Sequence, residues 1–211
     1  MDLTGVQAVL FDMDGTLVDS DSAVDRGWVR WGAEYGVDEA TARRGVIQGS
    51  PSDHTIARLR PDLRGAEFAA AVQRQLHLQY EDLDDVVPTA GALELVATLD
   101  RLGLPWAVVT SADARLARAR LGAAGIAAPE LVTVDDIRAG KPDPEGYLLA
   151  ARRLGVDPAG CLVVEDAEPG VQAGRAAGAR VAALKGIDGD LRITELTELT
   201  RALPDASPQP A

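Results

Sequence analysis

The sequence is short of cysteine, of lysine and of positive charge, and it has no long apolar run. Its one cysteine, Cys161, cannot form an intrachain disulfide, which excludes a disulfide-stapled scaffold and fits a reduced, cytoplasmic location. No apolar stretch approaches the roughly 18 residues that span a bilayer. Met1 to Thr4 hold an acid and no basic cluster, so no secretory signal is expected. The formal net charge of −12 argues against nucleic acid or an anionic membrane as partner, and it obliges any anion site to be positive locally. Of 21 basic residues only Lys141 and Lys185 are lysines, so a lysine at a special place carries weight. There is no internal repeat.

What is present suffices for one sizeable domain, or a core with a smaller insertion, within 211 residues. The apolar runs at 6–11, 106–109 and 161–164 read as buried parallel strands, with 131–134 and 181–184 as further candidates. Amphipathic stretches separate them at 92–102, 115–124 and 146–154, and each stops at a glycine: Gly103, Gly125 and Gly155. Strands alternating with helices of this length imply βαβ units and an α/β, doubly wound parallel sheet. Residues 18–87 break the alternation. Val24, Trp28, Trp31 and Tyr35 form one helical stripe, with Ser22 as an expected N-cap and Gly36 as the stop, and Phe68, Val72 and Leu76 form another. The expected organisation is therefore a core from 1–17 and 88–211 interrupted by a small helical unit at 18–87. The tail from 204 onward, rich in Pro, Ala and Ser, is expected to fray.

Chemistry concentrates at the expected carboxyl ends of the strands, where open α/β sheets place their sites. The first strand runs into Asp12-Met13-Asp14-Gly15-Thr16. With the chain still extended, Asp12 and Asp14 would leave the same face, and carboxylates that close repel unless a cation lies between them or one holds a proton. A hard cation such as Mg²⁺ suits them; a solvated acidic turn or helix cap is the plainer alternative. Thr110-Ser111 ends the next strand, where hydroxyls and N–H groups suit a phosphate oxygen or merely cap a helix. Lys141 lies in a stiff Gly-Lys-Pro-Asp-Pro loop and is either a neutraliser of carboxylate and phosphoryl oxygens or an exposed loop cation. Glu165-Asp166 follows a buried strand, so the pair needs a cation or donors unless it is a helix N-terminal acid pair.

In this order the motifs Asp12-Met13-Asp14-Gly15-Thr16, Thr110-Ser111, Gly140-Lys141-Pro142 and Glu165-Asp166 resemble those of the haloacid dehalogenase superfamily of aspartate-nucleophile phosphotransferases. The resemblance extends from Val6 to about Ile187 and implies a Rossmann-like core with an inserted α-helical cap. The run 164–170 and the segment Gln48-Gly49-Ser50-Pro51 look like the sugar-phosphate and glycerol-phosphate phosphatases of that superfamily. The resemblance implies that Asp12 attacks phosphorus and Asp14 serves as general acid and base. It implies that Mg²⁺ is held by Asp12, Asp14 through its backbone carbonyl, and Asp166, with Glu165 acting directly or through water. Thr110, Ser111 and Lys141 would hold the phosphoryl oxygens, and Gln48, Gly49, Ser50 and His54 of the cap would meet the substrate. The expected substrate is a small phosphorylated metabolite, and the expected assembly a monomer or weak dimer.

Rival readings make distinct demands. A phosphomutase on this scaffold needs a cap cation for its second phosphate, and the stretch Gly49-Ser50-Pro51-Ser52-Asp53 has none. A haloalkanoate dehalogenase generally lacks a counterpart of Asp14. A receiver domain of phospho-signalling clusters similar residues, but its lysine comes last, whereas Lys141 precedes Glu165. Cys161 reads as a small core hydrophobe. Trp28 and Trp31 read as cap core rather than a sugar platform. Arg58 and Arg60 are candidates to meet a substrate anion, or simply solvated cations.

Overall fold

The computed structural model describes residues 1–46 and 52–203. The expected cap contacts Gln48, Gly49 and Ser50 and the expected frayed tail lie outside the described residues. Strand β1 (Ala8–Phe11) leads to the two-residue β2 (Val18–Asp19). Four helices follow: α1 (Asp21–Tyr35), α2 (Glu39–Gly45), α3 (Ser52–Leu59) and α4 (Gly65–Glu81). The chain returns through β3 (Val87–Pro88) and α5 (Ala92–Leu102) to β4 (Trp106–Val109) and α6 (Ala114–Ala123). It continues through β5 (Leu131–Val132), α7 (Glu145–Leu154), β6 (Cys161–Glu165), α8 (Glu168–Ala176), β7 (Arg180–Ala183), β8 (Leu191–Arg192) and α9 (Thr197–Ala202).

The strands assemble in the order β5-β4-β1-β6-β7-β8, every pair parallel. This is the doubly wound, Rossmann-like sheet. β1 lies between β4 and β6, so the chain departs to one side of β1 and later returns on its other side. Such a switch point opens a crevice at the carboxyl ends of the strands. Alternate residues feed two apolar layers: Val9 and Phe11 join one cluster, Ala8 and Leu10 the other. Covered on both faces, β1, β4 and β6 are buried at every position, which is why they read as unbroken apolar runs.

Some boundaries differ from expectation. β1 starts at Ala8, which pairs with Cys161. Before it, Gln7 N–H donates instead to the turn carbonyl of Gly160 at 2.8 Å. β5 stops after two residues, because Thr133 caps a 3-10 turn, Val134–Asp136, in a reciprocal box with Asp136. β7 is Arg180–Ala183, one residue earlier than read.

The helices α1 to α4 carry their own core of Trp28, Trp31, Ile56, Leu63, Ala71 and Leu78. Trp31 stacks on Tyr35 with ring centroids 4.7 Å apart, and its Nε1 donates to Ala71 O at 2.9 Å, so the buried indole leaves no unpaired donor. α1 ends at Gly36, whose φ of 71° suits glycine. Its N-cap is Ser20, not Ser22, and the Ser20 hydroxyl caps nothing because it is engaged elsewhere. On α4 the buried residues are Ala71, Gln75, Leu78 and Gln79, and Leu76 lines a cavity instead. β2 and β3 pair antiparallel (Val18 with Pro88, Asp19 with Val87), so the chain enters and leaves the helical insertion side by side.

Candidate active site

The acids at the end of β1 part company. Leu17 and Val18 N–H both donate to Met13 O at 2.9 Å, so the chain turns sharply here rather than staying extended. Gly15 makes the turn at φ +83°, and a Cβ on it would lie 2.1 Å from Asp166 Oδ2, so glycine is required twice over. Asp12 therefore points at Lys141, whereas the Asp14 carboxylate accepts from Ser20 Oγ at 2.6 Å and pairs with Arg120 at 2.8 Å. The chain is thus not extended here, the condition for a shared strand face, although both carboxylates still line one cavity.

Lys141 is buried, 6% exposed, and so is not a loop cation. Its Nζ donates to Asp12 Oδ1 at 2.5 Å, Glu165 Oε1 at 2.7 Å and Val109 O at 3.0 Å. Glu165 accepts on Oε1 from Tyr147 Oη at 2.8 Å, and on Oε2 from the N–H groups of Asp166 and Ala167 at 3.0 and 3.2 Å. It is thus a satisfied anchor that fixes the lysine. Gly170 makes room for it, since a Cβ there would fall 1.6 Å from Glu165 Oε1. Burial opposes the Lys141 charge, but Asp12 and Glu165 outweigh it and hold the ammonium pKa well above its ordinary value. Burial pushes the Asp12 carboxyl well above the usual range, with Lys141 pulling it back and Glu165 and Asp166 adding to the rise. Burial likewise raises Asp166, partly offset by Lys185.

Asp12, Glu165 and Asp166 each present a carboxylate oxygen within 4.8 Å of the others, all buried. Three hard oxygen donors of this kind fit a divalent cation. Asp166 Oδ1 accepts from Thr16 Oγ1 at 3.4 Å, whereas Oδ2 is buried and pairs with Lys185 Nζ at 3.0 Å. A buried carboxylate oxygen keeps further lone-pair capacity that a divalent cation can take up. The Asp14 side chain stands outside this cluster, on Arg120.

Thr110 and Ser111 lie at the end of β4 and line a cavity between the sheet and the helical insertion. They do not cap α6, because Asp113 does, accepting from Leu116 N at 2.9 Å. The cavity measures about 80 Å³, with Asp12 and Asp14 in its wall and Trp28, Thr55, Leu76 and Gln79 contributed by the insertion. Trp28 thus belongs both to the core of the helical insertion and to the cavity wall. His54 lines a wider adjoining cleft instead. Arg58 donates to Gly45 O, and Arg60 to Tyr35 O and Asp62, so both are committed within the helices. Arg120, 2% exposed, went unremarked in the sequence. It bridges Asp14 to Gln79 Oε1 of α4 at 3.0 Å. The signal was available, because Arg120 shares the buried stripe of α6 with Leu116 and Ala117. Tyr147 was missed as well.

A family model for haloacid dehalogenase-like hydrolases matches residues 6–178. The chain is 39% identical over 198 residues to hexitol phosphatase A of Escherichia coli (strain K12), covering 92% of this chain and 90% of that protein. It is 32% identical over 182 residues to the fructose-1-phosphate phosphatase YqaB of the same organism, with 81% and 92% covered. Against the solved structure of a hydrolase from Pseudomonas syringae the TM-score is 0.78 at 28% identity, covering 93% of this chain and 89% of that one. A β-phosphoglucomutase from Clostridium difficile shares the fold, with a TM-score of 0.80 at 17% identity, covering 93% and 96%.

Proposed function

The chain belongs to the haloacid dehalogenase-like hydrolases, and from that premise we propose that it is a Mg²⁺-dependent phosphatase of small sugar or polyol phosphates working through an aspartyl-phosphate. The observation that carries the reading is Asp12, buried against Lys141 in the wall of a cavity that the helical insertion closes. Residues 18–87 act as the cap and 1–17 with 88–211 as the catalytic core, in the cytoplasm.

Asp12 Oδ attacks phosphorus, and the ester oxygen leaves with a proton from Asp14. Water then attacks the acyl phosphate and gives its proton to Asp14, which releases inorganic phosphate and regenerates Asp12. Thr110 and Ser111 hold the phosphoryl oxygens. Lys141, held by Asp12, Glu165 and Val109 O, supplies positive charge beside them and exchanges one of these acceptors for a phosphoryl oxygen when substrate binds, so catalysis is largely positioning and electrostatics. Asp12, Asp166 and the Asp14 carbonyl would hold Mg²⁺, with Glu165 acting through water because both its oxygens are engaged. The ion would neutralise phosphate charge beside the nucleophile.

Hydrolysis is favoured over mutase chemistry by the cavity wall. The described cap residues that line it are Val24, Trp28, Val46, Ser52, Thr55, Leu76 and Gln79, none of them cationic. Arg120 reaches in from α6 but is paired with Asp14. Burying an unpaired second phosphate would cost several kcal/mol, whereas hydroxyls need only neutral partners.

The test is kinetic. Asp12→Asn should lose at least about 10³-fold in turnover. Asp14→Asn should lose about 10²–10⁴-fold on a sugar phosphate and much less on p-nitrophenyl phosphate, whose leaving group needs little protonation. Chelation should abolish phosphate release and added Mg²⁺ restore it. Near-normal turnover by Asp12→Asn would refute the covalent mechanism.

A further inference from the structure

We propose that Lys185 is a built-in competitor for the divalent cation, and that its charge weakens cation binding at Asp166. The inference rests on the reading of Asp12 and Asp166 as cation ligands. The chain's two lysines flank one acid cluster, Lys141 on Asp12 and Glu165, and Lys185 on Asp166. They are not equivalent. Lys141 is buried and fully engaged. The Lys185 side chain is 41% exposed and stands between two carboxylates, 3.0 Å from Asp166 Oδ2 and 2.9 Å from Asp21 Oδ2.

The backbone is shaped to bring it there. Lys185 has φ +50°, a left-handed conformation that non-glycine residues adopt at a cost and that clusters at functional positions. Gly15 completes the approach, since a Cβ on it would lie 2.8 Å from Lys185 Nζ. A cation on Asp166 must therefore share that carboxylate with the Lys185 ammonium or displace it towards Asp21, and like charges so close repel. Solvent exposure screens the effect to a modest factor. Asp21, in the first turn of α1, gives the ammonium a second partner to retreat to.

Calorimetric titration of the full chain with MgCl₂, without substrate, tests this. Lys185→Met should bind Mg²⁺ about fivefold tighter than the parent, and Lys185→Arg, which keeps the charge, should stay within about twofold. Asp21→Asn removes the second partner, leaves the ammonium on Asp166, and should bind about twofold weaker. Opposite signs at two partly exposed residues in contact cannot come from damage to the fold. If Lys185→Met binds no tighter, or more weakly, Lys185 only orients Asp166 and the inference is overturned alone. A parent chain that binds no Mg²⁺ overturns the cofactor reading together with it.

Discussion

At the scale of single residues, position rather than charge type decides what a side chain can do. Lys141 meets three acceptors at 2.5–3.0 Å, in the space left between Asp12, Glu165 and Val109 O. A planar guanidinium is too large and too rigid for that space. Lys141→Arg should therefore lose at least about 10²-fold in kcat/KM, roughly 3 kcal/mol, with circular dichroism unchanged; full activity would make the lysine a mere counter-charge. Cys161 illustrates the opposite case. It is 2% exposed, and burial pushes its thiol from the ordinary 9 up to about 11. The folded chain holds that proton longer than the unfolded chain does, so the contribution is present below about pH 9 and is lost as pH climbs through about 11. A disulfide reagent at pH 8 should leave the native thiol unmodified over minutes and titrate it fully after unfolding.

At the scale of elements, the helical insertion contains an avoidable cost. Gln75 of α4 is fully buried, and among the described residues both polar atoms of its carboxamide lack a hydrogen-bond partner. An unsatisfied buried amide costs about 1–3 kcal/mol, so Gln75→Leu, close in volume, should stabilise the chain by about 1 kcal/mol in urea unfolding. A lower midpoint would mean the amide is paired in solution. Legibility in the sequence followed element length and sheet position. β1, β4 and β6 were plain because both faces are covered, and the glycine stops after α1, α5 and α7 stood where read. β2, β3 and β8 have two residues each and offer no period to detect. In the candidate site, Asp12, Thr110, Ser111, Glu165 and Asp166 were legible as residues after apolar strands, and Lys141 as a scarce lysine in a proline-stiffened loop. The partners of Asp14 were not, because Ser20 and Arg120 reach it across a turn and from another helix.

At the scale of the whole molecule, the helical insertion is tied to the helices that cover the sheet. Gln79 bonds Arg120 and Tyr80 Oη donates to Asp113, so α4 is tied to α6 at two points. The cavity that holds Asp12 and Asp14 runs into the wider cleft, with which it shares Ser52, Leu76 and Ser111, and lifting of the insertion would widen that path for a substrate. If lifting limits turnover, kcat on a good substrate should fall as sucrose raises solvent viscosity, whereas the chemically slow Asp14→Asn variant should be insensitive. Equal sensitivity in both would refute gating. The narrow ribbon of β2 and β3 has a separate consequence. Thr89 N–H donates to Leu17 O at 3.0 Å and Thr89 Oγ1 to Thr16 O at 2.6 Å, so the two crossing points of the chain are neighbours. The stem therefore closes the insertion at its base, separately from the ties between α4 and α6. An insertion of different length closed on the same stem should leave the register of the sheet unaltered, so that under the proposed function substrate preference could be remodelled apart from the chemistry.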